Sequence, residues 1–420
     1  MTAAIPELHA RLSQPEDLLR ARRALCRMAM QLLAADEDRT SLNECVRSPA
    51  LLDSPLLRHA VHEALAAGAP SRCDWVGVRT LANGPRRLTA AELSVAVVSH
   101  PDARHMLADV LSRFGGGPTA MSLLTASSEP RFSRDLTSLT AGLELALTAS
   151  SAMIHDLLPH VSLVAILNDA AGVRSASLRE YPGLVLVASP QSALAAAEML
   201  VHEAAHQKFF DLALVHDLLN TVSDTCPPFA PPWHHAGTLW PIEQTLAALH
   251  TYACLAQLAR DVDGTPGQQP VDARSLLPAA PERVDVIGQW LIAHSAYLGP
   301  DARFLVNALL NLEPTYAQQE SDSRSEPNNA VVRAHPCLHI DLDAASGRVL
   351  VGRSEQPYDF YFLDPDSGLL LELLRERQLE QAIRDFARRR HLDRRQAERL
   401  TASILPRLAT AGLISVDTEE

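Results

Sequence analysis

His202, Glu203, Ala204, Ala205 and His206 form an H-E-x-x-H string in the middle of the chain. On an α-helix, residues four apart share a face, so both imidazoles can reach one divalent metal while the glutamate lies beside it. Two imidazoles do not complete a catalytic site. A third protein ligand is needed, with positions left open for water or substrate. A third histidine six residues after His206 is ruled out, because Leu212 occupies that place. A downstream carboxylate on a second helix is one alternative, and Glu243 qualifies. His250 is another: its helix face also carries Leu246, Ala247, Ala253 and Cys254, which are small or apolar, so an unpartnered imidazole there would be costly. Bonding to a backbone carbonyl or to a metal would each satisfy it. His216, His234 and His235 read as polar loop or helix-end residues.

Lys208 is the only lysine of the chain. It lies roughly 200° around the helix from His206, so it points away from the metal and is expected to pair with Asp211.

Several elements must position these groups. Ser189 is the expected N-cap of the motif helix, with Pro190 in its first turn, and no Gly or Pro interrupts 192–219. Two short apolar runs, 161–167 and 184–188, read as strands. They bracket a loop that carries Arg174, Ser175, Ser177 and Arg179. A proline-rich loop over 220–240 leads to a second helix from Pro241 to about Arg260. Upstream, helical spacing recurs over 15–35, 55–67, 90–114 and 136–158, which makes the first third mostly helical. Gly115 to Gly117 lack a phosphate-loop pattern and read as a turn.

The polar stretch 318–330 reads as a linker. Beyond it the pattern becomes alternation, giving strands around Leu338–Leu342, Val349–Val351 and Tyr358–Phe362, with Ala345-Ser346-Gly347 turning between the first two. Three helices follow, the first capped by Asp364 and the third opened by Asp393. The expected organisation is a helical N-terminal region (1–135) packed on a metal-binding catalytic domain (136–317), the linker, and a C-terminal domain (331–420). The fold class is mainly α with a few short strands in the catalytic domain, and α+β, winged-helix-like, at the C-terminus.

The net charge of -13 argues against a general nucleic-acid binder. Six dispersed cysteines without a C-x-x-C pair suit a reducing cytoplasm. The N-terminus lacks the apolar core of a secretion signal, and no apolar run is long enough to span a bilayer, so a cytoplasmic protein with no membrane partner is expected.

In order along the chain, Gly183-Leu184-Val185-Leu186, the string L-V-H-E-x-x-H-x-K at 200–208 and Leu249-His250 before a small and aromatic stretch resemble the HExxH-motif peptide-modification proteins of ribosomal peptide maturation. Some members look like Fe(II)- and 2-oxoglutarate-dependent peptide β-hydroxylases. The resemblance spans roughly 136–312, and it implies His202, His206 and His250 as metal ligands with Glu203 beside them. Where members often carry Arg-Pro before the last helix, this chain has Trp240-Pro241. The C-terminal unit is similar in pattern to winged-helix domains that bind leader peptides, which would accept the leader of a precursor peptide as an added strand.

The reaction this implies is hydroxylation of a peptide side chain on iron. Glu203 would orient a ligand, water or substrate, and Arg174 and Arg179 are candidates for the far carboxylate of 2-oxoglutarate. The alternative is a zinc peptidase or amidase with Glu203 as general base.

Overall fold

The computed structural model describes residues 5–33, 47–67, 86–100, 105, 107–114, 123–125, 130–168, 173–235, 237–263, 273–311, 330–342, 349–353 and 359–418. These fall in two compact units. One comprises Met1–Cys26, Ala34–Ala64 and Ser71–Pro314, and the other Arg27–Leu33, Leu65–Pro70 and Thr315–Glu420. The glycine turn at 115–117, the turn at 345–347 and nearly all of the expected linker lie outside the described residues.

The first unit is mainly α-helical around a five-stranded sheet. Its helices include α1 (Ile5–Leu12), the start of α2 (Pro15–Leu33), α3 (Pro49–Leu52), α4 (Pro55–Ala67), α5 (Ala108–Phe114) and α6 (Arg131–Leu157). After them come α7 (Ala193–Val215), which carries the motif, α8 (Ile242–Asp263), α9 (Ala280–Ala293) and α10 (Pro300–Leu309). The strands are β1 (Arg87–Ala90), β2 (Leu93–Val97), β3 (Leu163–Ile166), β4 (Ser175–Ser177) and β5 (Leu184–Val187), in the order β1-β2-β3-β5-β4. The central three run parallel, and the two edge strands, β1 and β4, run antiparallel to their neighbours.

Two expectations are corrected here. The helix expected from Ala90 onward is a β-hairpin instead: Ala91 takes a positive φ of 48° between β1 and β2, and the helix starts only at Ala108. Val95 to Val98 are all buried, as a strand buried on both faces requires, and a short apolar run of this kind fits either period. The stretch holding Ser175 and Ser177 is a strand rather than a loop, because its backbone completes the ladder along β5. Its small polar residues hid that role, since propensity alone argues against a strand.

Helix α7 is buried along nearly its whole length, its charged Glu198, Lys208 and Asp211 included. Its N-cap is Ser192, whose hydroxyl accepts from Ala195 N at 3.1 Å, and not Ser189, whose hydroxyl is bonded to Asp135. Gly142 of α6 permits the close approach of α7: a Cβ there would stand 2.4 Å from Ala196 Cβ. Gln207 ties α7 to β5 by accepting from Gly183 N at 2.5 Å and donating to Leu184 O at 3.1 Å. Position 183 takes a φ of 89°, which favours glycine.

In the second unit, β7 (Leu338–Leu342), β8 (Val349–Arg353) and β9 (Phe360–Leu363) form an antiparallel meander. Helices α11 (Pro365–Glu376), α12 (Leu379–Arg390) and α13 (Arg394–Thr410) follow. Asp364 caps α11 by accepting from Asp366 N and Ser367 N, and Asp393 with Gln396 closes a capping box on α13. Leu370, Leu374, Phe386, Ile404 and Leu408 fill its core with Val351. A further pair, β6 (Ala330–Ala334) with β10 (Ile414–Thr418), joins the two ends of this region and was not legible in the sequence. No helix among the described residues is long and apolar enough to cross a membrane.

Candidate metal centre

His202, Glu203 and His206 line one cavity of about 420 Å³. Its walls come from β4 (Ser175, Ala176, Ser177), from Arg179, and from the first turns of α8 with Glu243, Gln244 and Ala247. The two imidazoles stand edge to face with centroids 4.9 Å apart, as the four-residue spacing requires. Burial pushes the pKa of each down to about 4; for His202 the charges of Arg174 and Arg283 add to this, and for His206 that of His202. Both rings are therefore neutral at pH 7, the state in which imidazole binds metal. Nδ1 of His202 is buried without a hydrogen-bond partner, whereas Nδ1 of His206 meets Thr251 Oγ1 at 3.3 Å. A partner at Nδ1 leaves Nε2 of His206 for a ligand.

Glu203 is 2% exposed, and burial raises its pKa; His206, in its protonated form, and the hydroxyls of Ser177 and Ser175 pull the other way. Its Oε1 lies 3.8 Å from Nε2 of His202. The serines alternate along β4, which places both on the face turned to α7.

Glu243 is in the cavity, but its carboxylate receives Nη1 of Arg179 at 2.5 Å. Among the described residues no group of three or more His, Cys, Asp and Glu side chains stands ready to hold a metal. The donors nonetheless fit one: two neutral imidazoles and a carboxylate face a common space, and one imidazole nitrogen is orphaned. Of the two candidate arginines, Arg179 lines the cavity. Arg174 is held by Glu198 at 2.8 Å and by the carbonyl of Arg274.

His250 is fully buried and is not among the residues lining this cavity. Its Nε2 lies 2.8 Å from Nε2 of His9, which reaches in from α1. His9 Nδ1 meets Asp156 Oδ2 at 2.5 Å, and the other oxygen of Asp156 accepts from Lys208. Lys208 is thus paired with Asp156, not with Asp211 as expected. Asp211 is taken by Arg22 at 2.7 Å and by His160 at 2.6 Å. Burial depresses the pKa of His9 to about 4, and it raises that of Asp156, but the hydrogen bond from His9 and the charge of Lys208 outweigh it and leave Asp156 below the usual range. The lysine turns away from the motif face, as its spacing required, into a network of compensated charges.

Sequence reasoning missed His9, Asp156, Thr251, Ser175 and Ser177 as neighbours of the motif helix and its partner. His9 and His250 are 241 positions apart, and no local pattern joins them. Alternation of two serines was the one available signal for β4. In comparison with known proteins, no family model matches the chain and no curated protein matches it.

Proposed function

We propose that the chain is a metal-dependent enzyme of ribosomal peptide maturation that hydroxylates a side chain of a leader-bound precursor, using Fe(II) and 2-oxoglutarate. One observation carries the reading: His202, His206, Glu243 and Arg179 line the same cavity. Two histidines and a carboxylate are the donor set of non-haem Fe(II) oxygenases, which leaves positions for cosubstrate and dioxygen. Iron, when bound, supplies the oxygen activation that side chains cannot.

The third donor comes from α8. Glu243 already faces the cavity, while His250, the ligand given by the resemblance, does not line it and is bonded to His9. Arg179 supplies the cation for the far carboxylate of the keto acid. The substrate is an extended peptide: β4 is an edge strand whose three residues all line the cavity, so a peptide added along it would pass the site. For the C-terminal unit, the meander followed by three helices supports a winged-helix-like reading, in which β7 or β9, the outer strands of the described sheet, would take the leader.

A second reading, a zinc peptidase or amidase, is favoured by Glu203. A buried carboxyl with a raised pKa suits a general base that takes a proton from attacking water. Metal analysis after anaerobic purification and an assay for succinate formed from 2-oxoglutarate with a candidate peptide decide between them. Iron with peptide-dependent succinate is the expected result. Stoichiometric zinc, with peptide cleavage lost in Glu203→Gln, overturns it.

A further inference from the structure

We infer that Arg179 and Glu243 form an exchange latch, so that a metal entering the cavity releases an arginine to bind a carboxylate. The inference rests on the metal reading above and adds a coupling between two ligands. In the structure both side chains lie on the cavity wall and are bonded to each other, Arg179 from the segment after β4 and Glu243 from the first turn of α8. Glu243 lines the same cavity as His202 and His206, on a different helix from them. Its Oε1 is also the acceptor that holds Arg179. A metal that claims the carboxylate drains its charge from the guanidinium.

Two features make the exchange easy. The side chains of Arg179 and Glu243 are 63% and 38% exposed, so water screens the pair and a divalent cation competes with it readily. Arg174, by contrast, is anchored by buried Glu198 and cannot take over the vacated role. Once released, Arg179 stays on the cavity wall as an uncompensated cation with a planar fork suited to carboxylates. The ligand class is therefore a carboxylate, carried either by a free dicarboxylate or by an acidic side chain of a peptide. Anion binding should follow metal binding.

Glutarate and a capped tripeptide with a single central Asp are suitable probes, since neither carries the keto group that chelates a metal. Titration calorimetry on the full chain should show that the metal-free protein binds neither probe measurably. Mn(II) should bring at least one of them to an affinity about tenfold or more higher, the scale of a charge-assisted pair. Glu243→Gln should gain that affinity without any metal, while Arg179→Ala should lose it in both conditions. Circular dichroism checks folding, and Glu243→Ala repeats the arm in case glutamine itself holds Arg179.

Which probe responds identifies the source of the carboxylate. Failure of Mn(II) to bind the unmodified protein overturns the metal reading and with it the exchange, while the Glu243 variants report separately whether Glu243 masks Arg179. Binding to the metal-free protein as tight as to the loaded one, no gain in either Glu243 variant, or Mn(II)-dependent binding that survives Arg179→Ala overturns the latch.

Discussion

The hydroxyl of Thr251 lies 3.3 Å from Nδ1 of His206, so the residue next to His250 on α8 is bonded to the motif ring, while Nε2 of His250 meets His9. Ligand histidines are oriented through their second nitrogen, and losing such a partner typically lowers metal affinity by about 10–100-fold. Thr251→Val keeps the shape and removes the acceptor. Competition against a zinc chelator should show that loss, with a melting temperature close to that of the unmodified chain.

Glu243 and His250 can be separated as third donor. Glu243→Gln should reduce bound metal to well below one per chain while the fold is kept, because its side chain is 38% exposed in the first turn of a helix. His250→Leu should retain metal but lower stability by about 1–3 kcal/mol, since it leaves Nε2 of buried His9 without its partner. Metal analysis together with urea unfolding reads both effects. Metal lost in His250→Leu at unchanged stability would return the third position to His250.

The metal-free chain should weaken in mild acid. His9, His202 and His206 are each held near a pKa of about 4, chiefly by burial. In the unfolded chain histidine titrates near about 6.5. Between these values the unfolded state takes up protons that the folded state refuses, so stability is full above about pH 6.5 and falls as pH drops toward 4. The slope is roughly 1 kcal/mol per pH unit for each ring. Urea midpoints measured at pH 7.5, 6.0 and 5.0 should decline accordingly, and a flat profile contradicts the burial of the three rings.

Leader recognition should reside in the C-terminal unit. A chain ending at residue 329 should lose affinity for a fluorescent leader peptide and keep its metal content. Leader affinity that survives the deletion assigns recognition elsewhere, and joint loss of both properties argues against independent roles for the two units.

Local patterns determined a good part of this molecule. The four-residue spacing of His202 and His206, and the long stretch free of Gly and Pro, place both rings on one helix face whatever surrounds them. Caps that act within three residues, such as Asp364 and Asp393, were equally legible, as was the alternation of β7 and β8. What only tertiary structure decided are the partners. Lys208 could have paired with Asp211 three residues on, but Arg22 and His160 occupy that carboxylate, and Lys208 meets Asp156 on α6, whose other oxygen is bonded to His9. Glu243 and Arg179 meet across 64 positions, and His250 meets a residue of the first helix. The reason is physical: helix and strand periods act over a few residues, whereas a buried charge or imidazole takes whichever partner the packed chain delivers, and that choice leaves no trace in local spacing.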